Sequence, residues 1–265
     1  MTHAHGRPGF ALEFEEEFGG DDLDRTKWLP HYLPHWSSRA ASAARYEVGG
    51  GRLVLRVDRD QPPWCPEFDG DNRVSSLQTG CLAGPVGSAV GQHRFTPAAR
   101  VREAQDPLRL YTPSAGRVEL RCRAIDDPDA LVALWMIGFE ETPEQSAEVC
   151  VMEIFGRDVG EREVRVGVGL HPFGDPTIVD DFEAVPVAID AREPHTYAAE
   201  WGEGRSTFFV DEVPVKVVEQ APDYPLQLML NVYCLPRAAG APPRPIDAPA
   251  LEFEVEYVRG WRPYR

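Results

Sequence analysis

Two glutamates in one short segment have the residue type and spacing for acid–base chemistry. The segment Ala147-Glu-Val-Cys-Val-Met-Glu-Ile-Phe-Gly156 places Glu148 and Glu153 five positions apart. In a regular strand, residues five apart point to opposite faces, so the two side chains share a face only if the strand contains one extra residue, a β-bulge. With that bulge, four effective strand steps and two inward-leaning side chains predict carboxylates about 5 Å apart.

A carboxylate pair at this separation suits hydrolysis of a glycosidic bond with retention of configuration. One carboxylate attacks the anomeric carbon, while the other protonates the leaving oxygen and later activates water. The proton donor needs a pKa raised by burial or by its like-charged neighbour. The alternative is that both glutamates are solvent-facing residues of an ordinary acidic strand.

The residues around the pair favour the chemical interpretation. Trp135 lies in the hydrophobic run 133–138, and a flat indole beside two carboxylates is a natural platform for a pyranose ring. His171 opens an irregular segment, HPFGDP, at the end of the next predicted strand. Three long irregular stretches lie at residues 30–45, 61–72 and 234–249, and aromatic side chains in the first two favour walls of a binding cleft. Trp36 belongs to the first of them.

The elements that must position these residues are short strands. The 25 prolines and 23 glycines are scattered, and they separate runs of β character. These runs alternate apolar and polar residues or are continuously apolar, and they lie at 52–57, 117–123, 163–168, 195–201, 206–210, 226–233 and 251–258. Turns at 202–205 and 210–213 predict a meander of hairpins. We therefore predict a two-sheet antiparallel β-sandwich with long loops over a cleft, and one domain spanning residues 1–265.

Composition excludes several classes of function. The formal net charge of -16 makes binding to nucleic acid improbable. Five cysteines, an odd number without a CxxC pair, argue against a disulfide framework and against a zinc knuckle. The first residues contain no signal peptide, and no stretch approaches a membrane span, so we expect a cytoplasmic monomer, or a secreted protein if a signal has been removed.

The segment 148–153 resembles the motif of glycoside hydrolase family 16, the laminarinase, lichenase and agarase family. The family carries Glu-x-Asp-x-x-Glu on a bulged strand, and this chain has Glu148-Val-Cys-Val-Met-Glu153. Weaker similarity extends in order through most of the chain, at residues 14–28, 131–138, 195–211, 225–231 and 255–259. The resemblance implies a concanavalin-like β-jelly roll that hydrolyses β-linked glycans.

The resemblance also implies roles for individual residues. By it, Glu148 is the nucleophile and Glu153 the acid/base, and neither step requires a cofactor. We expect Trp135 to stack against a sugar and His171 and Asn231 to bind polar groups near the scissile bond. Substrate contacts are also expected from two further aromatic residues, Trp36 and Tyr233. A structural Ca²⁺ on the side away from the cleft is possible, with Glu256 as its acidic ligand.

Cys150 departs from the motif, because the family keeps an aspartate at that position. A thiol there removes a strong hydrogen-bonding partner of the nucleophile. Two further hypotheses follow. The chain is a degenerate member that binds carbohydrate without turnover, or a repurposed enzyme that acts on a small intracellular glycosylated or polycyclic metabolite.

Overall fold

The computed structural model describes residues 6–237, 244, 245 and 247–264. The strands of this part of the chain are β1 (Phe10–Glu16), β2 (Arg45–Gly49), β3 (Arg52–Val57), β4 (Arg73–Gln78), β5 (Gly80–Cys81), β6 (Leu108–Arg109), β7 (Gly116–Cys122), β8 (Ala130–Gly138), β9 (Glu148–Phe155), β10 (Val164–His171), β11 (Asp181–Val187), β12 (His195–Gly202), β13 (Arg205–Val210), β14 (Val213–Val218), β15 (Leu226–Cys234) and β16 (Leu251–Pro263). The helical elements among the described residues are α1 (Pro66–Asp69) and two 3₁₀ turns, Pro34–Trp36 and Gly156–Asp158. None of these helices is long and apolar enough to cross a bilayer.

The strands form two large antiparallel sheets. The front sheet has the order β11-β10-β9-β8-β15-β4. The back sheet has the order β14-β13-β12-β7-β16-β3-β2, and β1 also pairs with β16. A small ribbon joins β5 to β6. The predicted all-β sandwich is confirmed.

One continuous hydrophobic core fills the space between the two sheets. The front sheet contributes residues such as Val149 and Leu230, and the back sheet contributes Leu120, Phe208 and Phe253, all without accessible surface. Burying each such side chain stabilises the fold by roughly 1.5–3 kcal/mol relative to leaving it exposed. The alternation seen in the sequence therefore reflects one face packed into this core and one face turned away from it.

The predicted meander consists of β12, β13 and β14. Its first turn has positive φ at Glu203 (49°) and Gly204 (75°), and its second at Asp211 (47°) and Glu212 (65°). Two successive residues with positive φ match the twist of the flanking strands, so these turns close the hairpins tightly.

Loops cover part of the other face of the front sheet. They pack a second hydrophobic cluster against it, made of Tyr32, Leu33, Trp36, Trp64, Cys65, Val74, Ala99, Val101, Ala133, Trp135, Ile137, Met229 and Tyr233. Two of the long loops predicted from the sequence, residues 30–45 and 61–72, contribute to it, together with residues 82–107. A third predicted loop, residues 234–249, lies partly outside the described residues.

A buried arginine ties the back sheet together. Arg117 on β7 is 1% exposed, and its guanidinium lies 3.0 Å from Glu119, 2.9 Å from Glu200 and 2.9 Å from Glu212. Arg7 reaches the same group, 2.9 Å from Glu119. Removing one partner of a buried ion pair leaves an uncompensated charge in a region of low dielectric constant.

We expect Arg117→Ala to lower the free energy of unfolding by about 3 kcal/mol, because Glu119 stays buried with less positive charge around it. The matched control is Arg52→Ala, whose 3.8 Å pair with Glu254 is exposed on the same sheet, and we expect that change to cost at most about 1 kcal/mol. Urea denaturation of the two variants measures both values. Equal losses would contradict a structural role for the buried network.

Candidate active site

A β-bulge in β9 brings the two glutamates to one face. Leu134 and Trp135 are consecutive on β8, yet they pair with Met152 and Cys150, so Val151 is the extra residue of β9. The neighbouring strand β10 shows a register shift at the same place. The bulge that the spacing of the glutamates predicts is confirmed.

The bulge sorts the side chains of β9 between two environments. Val151 and Met152 both enter the core between the sheets, although they are adjacent in sequence. Glu148, Cys150 and Glu153 stand outside that core, on the face of the front sheet turned away from it. The chain therefore presents two carboxyl groups with a thiol between them.

Glu148 is buried, and its two oxygens have different neighbours. Oε1 accepts a hydrogen bond from the Cys150 thiol, with Sγ at 2.9 Å. Oε2 lies 3.9 Å from Nδ1 of His93. Burial, reinforced by the negative charge of Glu153, raises the pKa of Glu148 to about 8, and the hydrogen bond from Cys150 opposes this shift.

Cys150 keeps its proton in this environment. Its burial, together with the charges of Glu148 and Glu153, raises the pKa of the thiol well above its ordinary value. The side chain thus acts as a hydrogen-bond donor to the carboxylate at the position where the family motif has aspartate. A thiol is a weak donor, so the contact to Glu148 is retained in a weaker form.

Glu153 lies opposite Gly167, whose lack of a side chain leaves room beside the glutamate. Burial raises the pKa of its carboxyl group, and the charge of His171 opposes that shift. Gly167 pairs with Glu153 across the β9–β10 ladder. A Cβ atom at position 167 would approach Phe182 to 2.6 Å and the Glu153 Cβ to 3.2 Å. The glycine therefore allows the Phe182 ring to lie next to this carboxyl group.

His171 stands directly opposite Glu148 at the end of β10, as the sequence predicts. Its Nδ1 lies 2.9 Å from Asp180 Oδ2, which fixes the orientation of the ring. The imidazole stacks on Phe182 at 4.8 Å between centroids. Phe173, 48% exposed, continues this aromatic edge. Together these residues form the accessible side of the site.

Trp135 lies next to the glutamates, but another ring covers it. Its Nε1 donates a hydrogen bond to Asn231 Oδ1 at 2.9 Å, and its indole packs against His93 with centroids 4.9 Å apart. Only 3% of Trp135 is exposed, so stacking on a sugar requires His93 to move. Asn231 Nδ2 has no hydrogen-bond partner among the described residues and remains a donor near the site. Both substrate contacts stay predictions.

Tyr233 and Tyr32 are both buried in the second hydrophobic cluster, so contact between Tyr233 and a substrate stays a prediction. Their hydroxyl groups are 3.4 Å apart. Burial raises the pKa of each phenol, and the charges of Glu148 and Glu153 add to the shift.

Trp36 does not lie where a cleft residue would. The side chain has no accessible surface, and its Nε1 donates to the Gln92 carbonyl oxygen at 2.9 Å. Direct contact with a substrate, as predicted from the sequence, does not fit this position. Trp36 instead holds two loops together, because an aromatic side chain in a long loop can pack inward as readily as line a groove.

Glu256 is on β16 of the back sheet, away from the glutamates. Its Oε2 accepts a hydrogen bond from Arg121 Nε at 2.8 Å. A guanidinium in contact with the carboxylate already neutralises it, so the surroundings of Glu256 do not fit a calcium ion. A structural calcium ion stays a prediction from the resemblance.

His93 is a site residue that the sequence analysis missed. It comes from residues 82–107 and adopts a left-handed backbone conformation, φ 50°. Its backbone N–H donates to Glu140 Oε1 at 2.5 Å, which holds the loop over the site. Burial lowers the pKa of the imidazole to about 3, so the ring beside Glu148 is neutral. The length of this loop was the only signal in the sequence, since loops above the usual length often line binding sites.

The chain is thus a two-sheet β-sandwich that carries a pair of glutamates on one bulged strand. A model of glycosyl hydrolases family 16 matches residues 112–241, which contain both glutamates. This match confirms the resemblance to glycoside hydrolase family 16 that the sequence predicts.

Solved structures agree with this assignment of the fold. The chain superposes on a GlcNAcα1-4Gal-releasing endo-β-galactosidase from Clostridium perfringens with a TM-score of 0.83 and 28% identity, over 98% of this chain and 64% of that one. It also superposes on the laminarinase catalytic domain from Thermotoga petrophila with a TM-score of 0.66 and 18% identity, over 97% of this chain and 99% of that one. For the laminarinase from Rhodothermus marinus the TM-score is 0.65 and the identity 19%, over 97% of this chain and 98% of that one.

The chain thus spans just under two thirds of the length of the endo-β-galactosidase structure. A comparison with curated proteins finds no significant match.

Proposed function

We propose that this protein is a glycoside hydrolase that cleaves β-linked glycans with retention of configuration. The observation that carries the proposal is the bulge at Val151, which sets Glu148 and Glu153 on one face of the front sheet. Glu148 is buried and Glu153 is half-buried on that face, so each carboxyl group carries a desolvation penalty that the strand itself does not require.

The surroundings of the two glutamates support distinct roles. Glu148 attacks the anomeric carbon as a carboxylate, and the hydrogen bond from Cys150 orients it. Glu153 donates its proton to the leaving oxygen and then takes one from water. The reactive form carries a single proton on the pair, and burial together with mutual repulsion separates the two ionisations.

Terminal or internal β-galactosyl linkages are the first substrates to test. The solved structure that is 28% identical bears the name of an endo-β-galactosidase, whereas the laminarinases are less than 20% identical. The site itself offers the aromatic edge of Phe173, Phe182 and His171 for the apolar face of a pyranose.

The pH dependence of kcat/KM follows from the burial of the pair. Activity is lost on the acid side when the nucleophile is protonated and on the alkaline side when the acid loses its proton. Both pKa values are raised, that of Glu148 to about 8. The bell-shaped dependence of kcat/KM on pH therefore lies at higher pH than it would for two ordinary glutamates with pKa values of ~4.3. Activity needs one proton on the pair, carried by Glu153, so the two limbs are the macroscopic pKa values of the pair and neither belongs to one residue alone. We expect substantial activity at neutral pH and loss of the last proton from the pair near pH 8.

A pH profile of kcat/KM on the best glycan measures this dependence. In Glu153→Gln only Glu148 titrates, so kcat/KM should rise through the pKa of Glu148 and show no alkaline limb. An optimum below about pH 5, with activity gone by neutrality, would contradict the account.

Reducing-end release from a panel of β-galactan, agarose, laminarin and lichenan tests the proposed function directly. We expect turnover on at least one of them. Saturable binding by calorimetry without any release of reducing ends would instead favour the hypothesis of a degenerate, carbohydrate-binding protein. The absence of both binding and turnover on every member of the panel would contradict the proposal.

A further inference from the structure

Three side chains with different donor atoms converge at the nucleophile. One ligand atom each from Glu148, Cys150 and His171 lies within 4.8 Å of the other two. In the described part of the chain, no other set of three histidine, cysteine or acidic side chains converges in this way. The Cys150 Sγ and Glu148 Oε1 are 2.9 Å apart, so a shift of roughly half an ångström gives the ~3.5 Å that separates a sulfur and an oxygen ligand on one tetrahedral zinc ion.

The donor set has the chemistry of a zinc site. Thiolate, imidazole and carboxylate are the three ligand types that Zn²⁺ binds, and three protein ligands with one position left for water or substrate are typical of an accessible site. The thiolate selects against Mg²⁺ and Ca²⁺, which prefer oxygen donors alone.

A supporting interaction is already in place on the histidine. His171 Nδ1 lies 2.9 Å from Asp180 Oδ2, which leaves Nε2 as the nitrogen available to a metal ion. Such a carboxylate–histidine contact orients the ring and raises its basicity in known zinc sites. His171 is partly exposed and Asp180 is exposed, so an ion can approach from this edge of the cleft.

We propose that Glu148, Cys150 and His171 form a binding site for a thiophilic divalent cation of the Zn²⁺ class, and that the bound ion inhibits the enzyme. On binding, the Cys150 S–H bond breaks, its proton goes to solvent, and the sulfur electron pair forms the metal–thiolate bond. No electron transfer is involved. The ion also takes the carboxylate of Glu148, which is then unable to attack an anomeric carbon.

Cation binding itself is independent of any glycan, whereas inhibition rests on the proposed function. The two are therefore measured separately. Titration of the purified protein with Cd²⁺, followed by the ultraviolet charge-transfer band of the cadmium–thiolate bond, reports binding without turnover. Zn²⁺ added to the hydrolysis assay, and then removed with a chelator, reports inhibition.

The variants distinguish this site from an isolated reactive thiol. We expect one Cd²⁺ equivalent in the wild type and in the control Cys234→Ser, which removes another buried thiol from the core between the sheets. Cys150→Ser should show no band. Asp180→Asn should bind Cd²⁺ about 10–100-fold more weakly, because the histidine loses its orienting carboxylate.

Three results would overturn the proposal. They are a cadmium–thiolate band that persists in Cys150→Ser, unchanged affinity in both His171→Ala and Asp180→Asn, and loss of the band in Cys234→Ser. If Cd²⁺ binds as expected but no glycan is hydrolysed, the cation site stands and the proposed function fails. If hydrolysis occurs and saturating Zn²⁺ leaves its rate unchanged, the inhibitory role is wrong.

Discussion

Glu148→Gln will lower kcat on the best glycan by at least about 1,000-fold, which corresponds to ~4 kcal/mol of lost transition-state stabilisation. The amide has nearly the shape of the carboxylic acid, but it has no negative charge with which to attack the anomeric carbon. The Cys150 thiol can still donate to the amide oxygen, so the strand and its bulge should be unaffected. Steady-state kinetics on wild type and variant give the ratio.

The control for this change is Glu16→Gln. Glu16 is also a buried glutamate, but it belongs to β1 of the back sheet, where it accepts a hydrogen bond from the Phe18 N–H at 2.8 Å. The control should alter kcat less than about threefold, since surface and remote changes act mainly on stability. A Glu148→Gln enzyme that retains more than about a tenth of wild-type kcat would mean that Glu148 is not the nucleophile.

Glu153→Gln will lower kcat/KM on a natural glycan by about 10²–10⁴-fold, the range expected for removal of a general acid. The loss should be much smaller on an aryl glycoside whose phenolate leaves without protonation. In that case the second step, attack by water, becomes limiting, because the same residue serves as its base. Added azide, which needs no base, should then accelerate turnover and give a β-glycosyl azide.

The pattern of rescue separates the two glutamates. Azide should restore Glu153→Gln and leave Glu148→Gln inactive on the same substrate. An α-glycosyl azide from the Glu153 variant would mean that Glu153 is the nucleophile. An equal loss of kcat/KM on natural and aryl substrates would mean that Glu153 is not the general acid.

The parts of the fold that could be predicted from the sequence are those governed by local periodicity. The alternation of apolar and polar residues predicts a strand at residues 52–57, and β3 has these bounds. The turn residues predict the β12–β14 meander, because those turns need positive φ. The bulge could be predicted as well, since five-residue spacing and a shared face are incompatible in a regular strand. In the site, Glu148, Cys150, Glu153 and His171 lie on two adjacent strands, so strand order alone brings them together.

The loop contributions could not be predicted, since loops follow no period. His93 reaches Glu148 because a left-handed residue and the Glu140 carboxylate hold its loop in place, and neither contact has a local sequence signature. The sequence predicts Trp36 in the cleft from its residue type and its place in a long loop. The structure places it beneath the loop surface, where its indole N–H is satisfied by the Gln92 carbonyl oxygen.

Cys150 was expected to deprive the nucleophile of a hydrogen-bond partner. In the structure its thiol points at Glu148 and donates to it, so the partner is weakened but present. The same substitution adds a soft ligand beside a histidine and a carboxylate. Cysteine at position 150 therefore keeps a hydrogen bond to the nucleophile, so hydrolysis remains chemically possible. The same thiol is also the reason why a thiophilic cation should inhibit the enzyme.

Trapping the covalent intermediate tests the central claim most directly. A 2-deoxy-2-fluoro-β-glycoside with a dinitrophenolate leaving group, built on the sugar that the panel identifies, slows hydrolysis of the intermediate and lets it accumulate. We expect one adduct per chain, and peptide mass spectrometry should locate it on Glu148. Turnover of this compound with no adduct, or an adduct on Cys150 or Glu153, would contradict the assignment of Glu148 as the nucleophile.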